Sequence, residues 1–374
     1  MTSTAIFEPQ TQRPLTDTPP PVARLGYFER SRPVQLILGS FLFLTLPIAA
    51  MVLLLPDSPA LTWFYIWLFG GTHIVLTLTI YASRANRRYF ASSNRNLAVF
   101  VAIPLGLLGC YLAIRTLEVG TTVPWLALGF WAGLRFFNFF HLTRQTFGVH
   151  QMFKGRTLAK FPAWAKRTEN ATGLALVATL MLTHAAGGVC PLLTESSLEL
   201  RIAWIGSASA AFGFYLASMV ALFRTRPSPD SPGFRASMLY FTLQTLGTAA
   251  ATLYLPLYLA ALAMHYVEYH VLMVPRIAKQ ELDPTSPIDR GYGWLRTRPA
   301  AFLLVGLGLS ALVTAGMGSM DFEPSATAWG VLLTAFDALV AVHYFLEMQI
   351  WKFSDPHFRR SLAGVYFAKR APAS

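Results

Sequence analysis

The sequence predicts an all-α protein, a polytopic integral membrane helical bundle of about ten transmembrane helices with both termini cytoplasmic. Three observations carry that expectation. Of 374 residues, 54% are hydrophobic and only 13% charged, against about 25% charged in a soluble globular chain. The apolar residues gather in ten runs, each near the roughly 20 residues a helix needs to cross about 30 Å of hydrocarbon. Finally, 27 of the 30 lysines and arginines fall in alternate inter-run segments, as expected of cytoplasmic loops. The mean hydropathy of +0.46 excludes a disordered chain. Two cysteines are too few for a disulfide scaffold or a four-thiolate iron–sulfur cluster.

Residues 1–33, rich in Pro, Thr and Gln, are expected to form a mobile cytoplasmic segment with no cleaved signal peptide. The first span, 34 to 55, stops at Pro56, and the second, 61 to 81, follows PDSPA and stops before Arg84. The third, 97 to 115, lies between Arg95 and the outer Arg115, and the fourth, 122 to 143, ends at Arg144. The fifth and sixth occupy 170 to 187 and 199 to 223. Ala236 to Val274 is one apolar run, about 58 Å long as a single helix and too long to cross once. A break near Pro256 divides it into spans 236 to 254 and 256 to 275, because a proline ring cannot continue the hydrogen-bond ladder. The last two spans are 299 to 317 and 327 to 351, so the transmembrane domain covers 34–352 and a cytoplasmic tail 353–374. The net charge of +12 reads as orientation in the membrane, with no nucleic-acid partner. There is no P-loop, no GxGxxG and no internal repeat.

Ionisable groups inside spans are costly and mark cavities, partners or cofactors. Here they are His73 in the second span, Arg135, Asn138 and His141 in the fourth, HYVEYH from His265 to His270 in the eighth, and Asp337, His343 and Glu347 in the tenth. His73 and His265 each lie 11 residues before the first inner base, Arg84 and Arg276, and His343 lies 9 before Lys352. That is roughly 13 to 17 Å from the inner boundary. If the fourth helix runs on to Lys154, His141 joins the same layer. Glu268 and Glu347 follow His265 and His343 by three and four residues and share their faces. His270 is about 140° around from His265 and reaches the site only through a long side-chain reach, a helix distortion or a second metal. Asn138, His141 and Gln145 form a polar stripe. Arg135 and Asp337, at comparable depth, are expected to pair, the alternative being an Arg135 that holds a substrate carboxylate.

Imidazole and carboxylate are ligands of iron, copper, zinc and manganese, and bundle helices present them to a common point. The expected metal ligands are His73, His141, His265 and His343, with Glu268, His270 and Glu347 as further ligands or supporting carboxylates and imidazole for one or two ions. Cys110 and Cys190 fall toward the outside and read as ordinary cysteines, a disulfide between them being the alternative, while His184 reads as a helix–helix hydrogen bonder and His357 as a headgroup-level residue. His150, about 180° around from His141, is a weaker ligand candidate.

HYVEYH at 265 to 270 resembles the first histidine box of the membrane fatty-acid desaturase and alkane hydroxylase superfamily. Single histidines on separate spans are similar in style to the bacterial membrane β-carotene dioxygenases. The resemblance implies non-haem iron, O₂ and a lipophilic substrate such as a fatty-acyl lipid or isoprenoid, with an electron-donor protein as a further partner. The expectation is therefore an inner-membrane, metal-dependent oxidoreductase with its site toward the cytoplasm. The aromatic segments at 64 to 71 and 134 to 141 would supply the substrate cavity. The alternatives are a proton-coupled transporter using the His and Glu residues as a relay, and a haem protein with histidines from two helices as axial ligands.

Overall fold

The computed structural model describes residues 31–56, 58–116, 123–155, 161–225, 232–318, 328–351 and 354–366. The N-terminal segment 1–30 and the end of the tail, 367–374, lie outside them. Among the described residues there is no strand, only an isolated bridge between Val189 and Tyr254, and the chain is a helical membrane protein. In chain order the helices are α1 (Ser31–Leu54), α2 (Pro59–Ala82), α3 (Arg84–Phe90), α4 (Asn94–Arg115), α5 (Pro124–Gly155), α6 (Ala163–Ala185) and α7 (Leu198–Arg224). They continue as α8 (Pro232–Leu253), α9 (Leu255–Ala278), α10 (Pro287–Arg296), α11 (Pro299–Gly318), α12 (Ala328–Ile350) and α13 (Pro356–Tyr366).

Seven of these, α1, α2, α4, α7, α9, α11 and α12, are long and apolar enough to cross a membrane. The other three long helices, α5, α6 and α8, have 32, 23 and 22 residues. They have the length but carry more polar side chains. In α6 the hydroxyls of Thr172, Thr179 and Thr183 donate to carbonyls four residues back, so they cost little in an apolar setting. Helix α5 is about 48 Å long, more than the thickness of a bilayer's hydrocarbon core, and continues past Arg144 to Gly155 as the placement of His141 required.

Proline explains two of the local distortions. A widened π turn at Phe41–Thr45 precedes Pro47, and another at Ala98–Ala102 precedes Pro104. Each extra residue relieves the clash of a proline ring with the carbonyl one turn back. The expected break near Pro256 is present. Tyr254 is extended and Leu255–Leu257 form a tight 3-10 turn, pinned by the Leu255 N–H to Gly188 carbonyl bond of 2.7 Å. Gly187 and Gly188 there have φ of 80° and 90°, which only glycine adopts readily.

Short helices close the end of the bundle that carries Arg84, Lys154 and Arg276, here called the basic end. Helix α13 repeats apolar residues at Phe358, Leu362, Val365 and Tyr366, all buried, and the Tyr366 hydroxyl donates to the Leu272 carbonyl at 2.6 Å. The segment read from sequence as a tail thus contains a helix docked on the core, because its apolar positions recur at helical spacing. Arg276 is buried between the rings of Trp351 and Phe358. Asp289 of α10 accepts from Arg87 of α3 at 2.6 Å and from the Asp283 N–H at 2.6 Å. The Arg87 guanidinium and the Asp283 N–H hold the Asp289 carboxyl below its ordinary range. A depressed carboxylate pKa stabilises the contact above the unfolded value, about 3.9, and the gain is lost as pH falls through the folded value. We expect the protection of α10 amides, taken relative to the exchange of an unstructured amide at the same pH, to be flat from neutrality to about pH 4 and to fall below it. Asp289→Asn should exchange faster at neutral pH and lack the acid step, whereas an unchanged profile in that variant would remove Asp289 from the contact.

Candidate metal centre

Helices α9 and α12 each pack on both α2 and α5, and the four bring His73, His141, His265, His343 and Glu347 to one level of the bundle. One apolar core toward the basic end contains Ile80, Phe153, Leu272 and Phe358. A second, beyond the site, contains Tyr65, Phe139, Leu180 and Ala261. All five side chains are at most 3% exposed. His73 follows a π turn at Ile66–Gly71, a distortion that recurs near functional sites. Gly70 in that turn faces the Tyr266 hydroxyl so closely that a Cβ would stand 3.0 Å from it, so glycine lets α2 and α9 approach at the histidine level.

One donor atom each from His73, His141, His343 and Glu347 lie within 4.8 Å of one another. The Nε2 atoms of His73, His141 and His343 stand 3.8, 2.9 and 4.0 Å from the Glu347 carboxylate oxygens. The 2.9 Å pair is off the hydrogen-bond direction, and His141 Nε2, His343 Nε2, both His73 nitrogens and both Glu347 oxygens have no hydrogen-bond partner. So many orphaned buried polar atoms facing one point are costly unless something between them accepts their lone pairs. Both nitrogens of His265 are orphaned too, and its ring centre is 4.7 Å from that of His73 and 4.6 Å from that of His141.

The ring spacings fit a metal ion. An imidazole nitrogen bound at about 2.1 Å puts the ring centre roughly 3.2 Å from the ion, so two ligating rings stand about 4.5 Å apart at right angles and roughly 6.4 Å apart when opposed. The measured separations run from 4.5 Å for His73 and His343 to 6.1 Å for His73 and His141, with 5.1 Å for His141 and His343.

Surrounding groups orient the imidazoles. The Asn138 carbonyl accepts from His141 Nδ1 at 3.3 Å, and since a carbonyl only accepts, the proton is on Nδ1 and Nε2 is the free donor of a lone pair. Thr77 Oγ1 donates to the His73 carbonyl at 3.4 Å and stands 2.7 Å from His343 Nδ1, which fixes the His343 tautomer in the same sense. The Tyr269 hydroxyl joins Thr77 at 2.5 Å. Glu268 lies outside the donor group: it accepts from Gln145 at 3.3 Å and from Gln244, while Gln145 also donates to the His265 carbonyl at 3.1 Å. Thr77, Tyr269 and Gln244 were not read from the sequence. Thr77 and Tyr269 each follow a site histidine by four residues, so helical spacing alone would have flagged them.

The structure does not bring His270 to the cluster. Its Nδ1 donates to the Tyr266 carbonyl at 2.7 Å and its Nε2 stands 3.0 Å from Thr72 Oγ1, facing an apolar groove of about 580 Å³ on the other side of α9. Nor do Arg135 and Asp337 pair among the described residues. Asp337 takes a hydrogen bond from Tyr111 of α4, and Arg135 lines a cavity with Asn138, Tyr258 and Tyr344. Each lies six residues before a cluster histidine, about 120° around its helix from that histidine, so equal depth left them facing different neighbours. His150 is tied to Glu169 at 3.4 Å and to Ser237 at 2.9 Å. His184 is exposed, and His357 pairs with Asn86 at 2.9 Å. Cys110 and Cys190 are unbridged.

Two cavities meet the centre. One, of about 180 Å³, is walled by His73, His141 and His343 together with Ile66, Leu262, Tyr258, Tyr266 and Tyr344. The other, of about 610 Å³, reaches His141 and Glu347 from the basic end. No protein-family model, curated protein or solved structure matches the chain.

Proposed function

We propose that the protein is a metal-dependent integral membrane oxidoreductase in which a non-haem iron acts with O₂ on a lipophilic substrate. The carrying observation is the convergence of unpartnered imidazole nitrogens from three helices on the Glu347 carboxylate, with the unpartnered His265 of a fourth packed against two of them. His73, His141, His343 and Glu347 would hold one ion, with His265 completing the shell. Histidine and carboxylate donors of this kind suit iron, and manganese, copper and zinc share them. Bound there, the metal would supply O₂ activation. The chain's own residues exclude bulk water, fix the imidazole tautomers and shape the cavity walled by Ile66, Leu262 and three tyrosines, in which an apolar chain would lie. A count of ten spans with both termini in the cytoplasm, and a centre in the cytoplasmic half of the inner membrane, are supported by the 27 basic residues in alternate segments.

The same geometry favours this reading over the alternatives. A proton relay needs groups spaced along a path across the membrane, whereas His73, His141, His343 and Glu347 lie within 4.8 Å of one another at one level. A haem needs a flat slot with ligands above and below, whereas here the rings crowd one point from several sides. The test is iron-loaded protein in lipid, incubated with O₂, a reductant and an extract of bacterial membrane lipids, followed by mass spectrometry of the lipids. Iron-dependent gain of oxygen or loss of hydrogen in a lipid, absent in Glu347→Ala, is the expected result. Unchanged lipids, with proton movement across metal-free liposomes, would replace the oxidoreductase by the relay.

A further inference from the structure

The 610 Å³ cavity at the basic end is not a general consequence of membrane orientation. Positive charges that set topology need only lie in a loop, whereas here Arg144, Lys166 and Arg167 line one concavity whose floor is His141 and Glu347 of the metal centre. Arg144 is three residues beyond His141 on α5, one turn or about 5 Å along the axis. Its guanidinium is held in place by Asn170 and by the rings of Phe140 and Phe147, and Lys166 also stands over Phe147. None of the three cations has a carboxylate partner among the described residues. Nearby Glu169 is consumed by Lys154, at 2.6 and 2.9 Å, and by Gln151 at 2.6 Å, and Glu347 is the only carboxylate in the described lining.

One more feature of the cavity favours negative charge, and another suits the protonated part of such a ligand. The 23-residue α6 begins at Ala163 on its wall, so unsatisfied backbone N–H groups and the positive end of the helix dipole face it. Gln145, 5% exposed, also lines it and carries an unpartnered amide oxygen, an acceptor suited to a ligand hydroxyl or a protonated acid group.

We propose that this vestibule binds the anionic group, phosphate or carboxylate, of an organic molecule that it presents to the metal centre from the basic end. The inference rests on the metal-centre reading for its purpose but not for its test. The shared chemistry is an oxyanion held by a guanidinium fork and two flanking cations. Two sources supply it: a water-soluble organic acid or phosphate used as co-substrate, and the headgroup of an anionic lipid whose chain reaches the centre.

The experiment uses full-length detergent-purified protein in metal-free and iron-loaded forms. It titrates inorganic phosphate calorimetrically, and measures by mass spectrometry the lipid retained from vesicles of phosphatidylglycerol or phosphatidylcholine. The test variant is Arg144→Gln/Lys166→Gln/Arg167→Gln. The control, Arg224→Gln/Arg290→Gln/Arg298→Gln, removes three exposed cations from the same end outside the cavity. Expected is saturable anion binding to the wild type and the control, weakened at least about tenfold in the test variant, with iron content equal in all three. Phosphate binding without phosphatidylglycerol preference identifies a soluble ligand. Retention of phosphatidylglycerol that the test variant loses identifies a headgroup. Absence of both in the wild type, or an equal loss in the control, overturns the proposal. Because binding is read in metal-free protein as well, a failure of iron loading would count against the metal centre and not against the vestibule.

Discussion

Alanine at His73, His141, His343 or Glu347 is expected to reduce the bound transition metal from about one equivalent to below roughly one tenth after reconstitution and desalting. Each variant deletes one of four donors that lie within 4.8 Å of one another. The remaining three lose the chelation that a preformed, buried group of ligands provides. His265→Ala should be milder, because its nitrogens sit outside that closest group although its ring packs against His73 and His141. Thr77→Val tests the supporting shell: it removes the hydroxyl that orients His343 Nδ1 while keeping the side-chain volume. A loss of metal affinity of about 10- to 100-fold is expected. The fold should survive these changes, since the orphaned nitrogens contribute no internal hydrogen bonds. Helical circular dichroism unchanged beside lost metal is therefore the expected combination. Metal content indifferent to all of His73, His141, His343 and Glu347 would remove the centre.

Counting residues back from the first inner base located four histidines at one level, because a straight helix converts sequence distance into depth at a fixed rise. Depth along an axis carries no information about which neighbour a side chain faces. That is why Arg135 and Asp337 match in level yet turn to different partners. It is also why HYVEYH divides as it does: His265 and Glu268 share the inner face of α9, and His270 points to the groove with Thr72. Gln145 belongs to the polar stripe legible in the sequence, but the contribution of Gln244 is obscured there for a different reason. Hydroxyl and amide side chains are common in membrane helices, and only the packing of α2, α8 and α9 shows which of them meet an imidazole or a carboxylate. Helix α13 is legible in principle, through Phe358, Leu362, Val365 and Tyr366 at helical spacing. Charged residues between those positions hide it from a search for apolar runs, which detects spans and misses amphipathic caps.

Replacing Glu169 by alanine is expected to destabilise the protein by about 3 to 5 kcal/mol, the largest effect on stability of any single change away from the metal centre. The Glu169 carboxylate is fully buried between α5 and α6. It accepts from Lys154 and Gln151 and faces His150, so its removal takes from the Lys154 ammonium, 4% exposed, the carboxylate that it meets at 2.6 and 2.9 Å. Breaking such a pair costs far more than the pair contributes when intact, because desolvation has already consumed most of the Coulombic gain. The double variant Lys154→Met/Glu169→Leu should therefore recover most of the loss, since two apolar side chains of similar volume avoid both desolvation penalties. Thermal unfolding in detergent, followed by tryptophan fluorescence, provides the comparison, with Lys166→Met as an exposed control expected to stay within about 0.5 kcal/mol of wild type. A Glu169→Ala protein as stable as the wild type would mean that Lys154 reaches solvent without cost. A double variant no better than the single one would place the loss in packing between α5 and α6 and not in the broken ion pair. Metal content provides the second coordinate: Glu169 touches none of the donors, so the destabilised single variant should still load metal below its unfolding temperature.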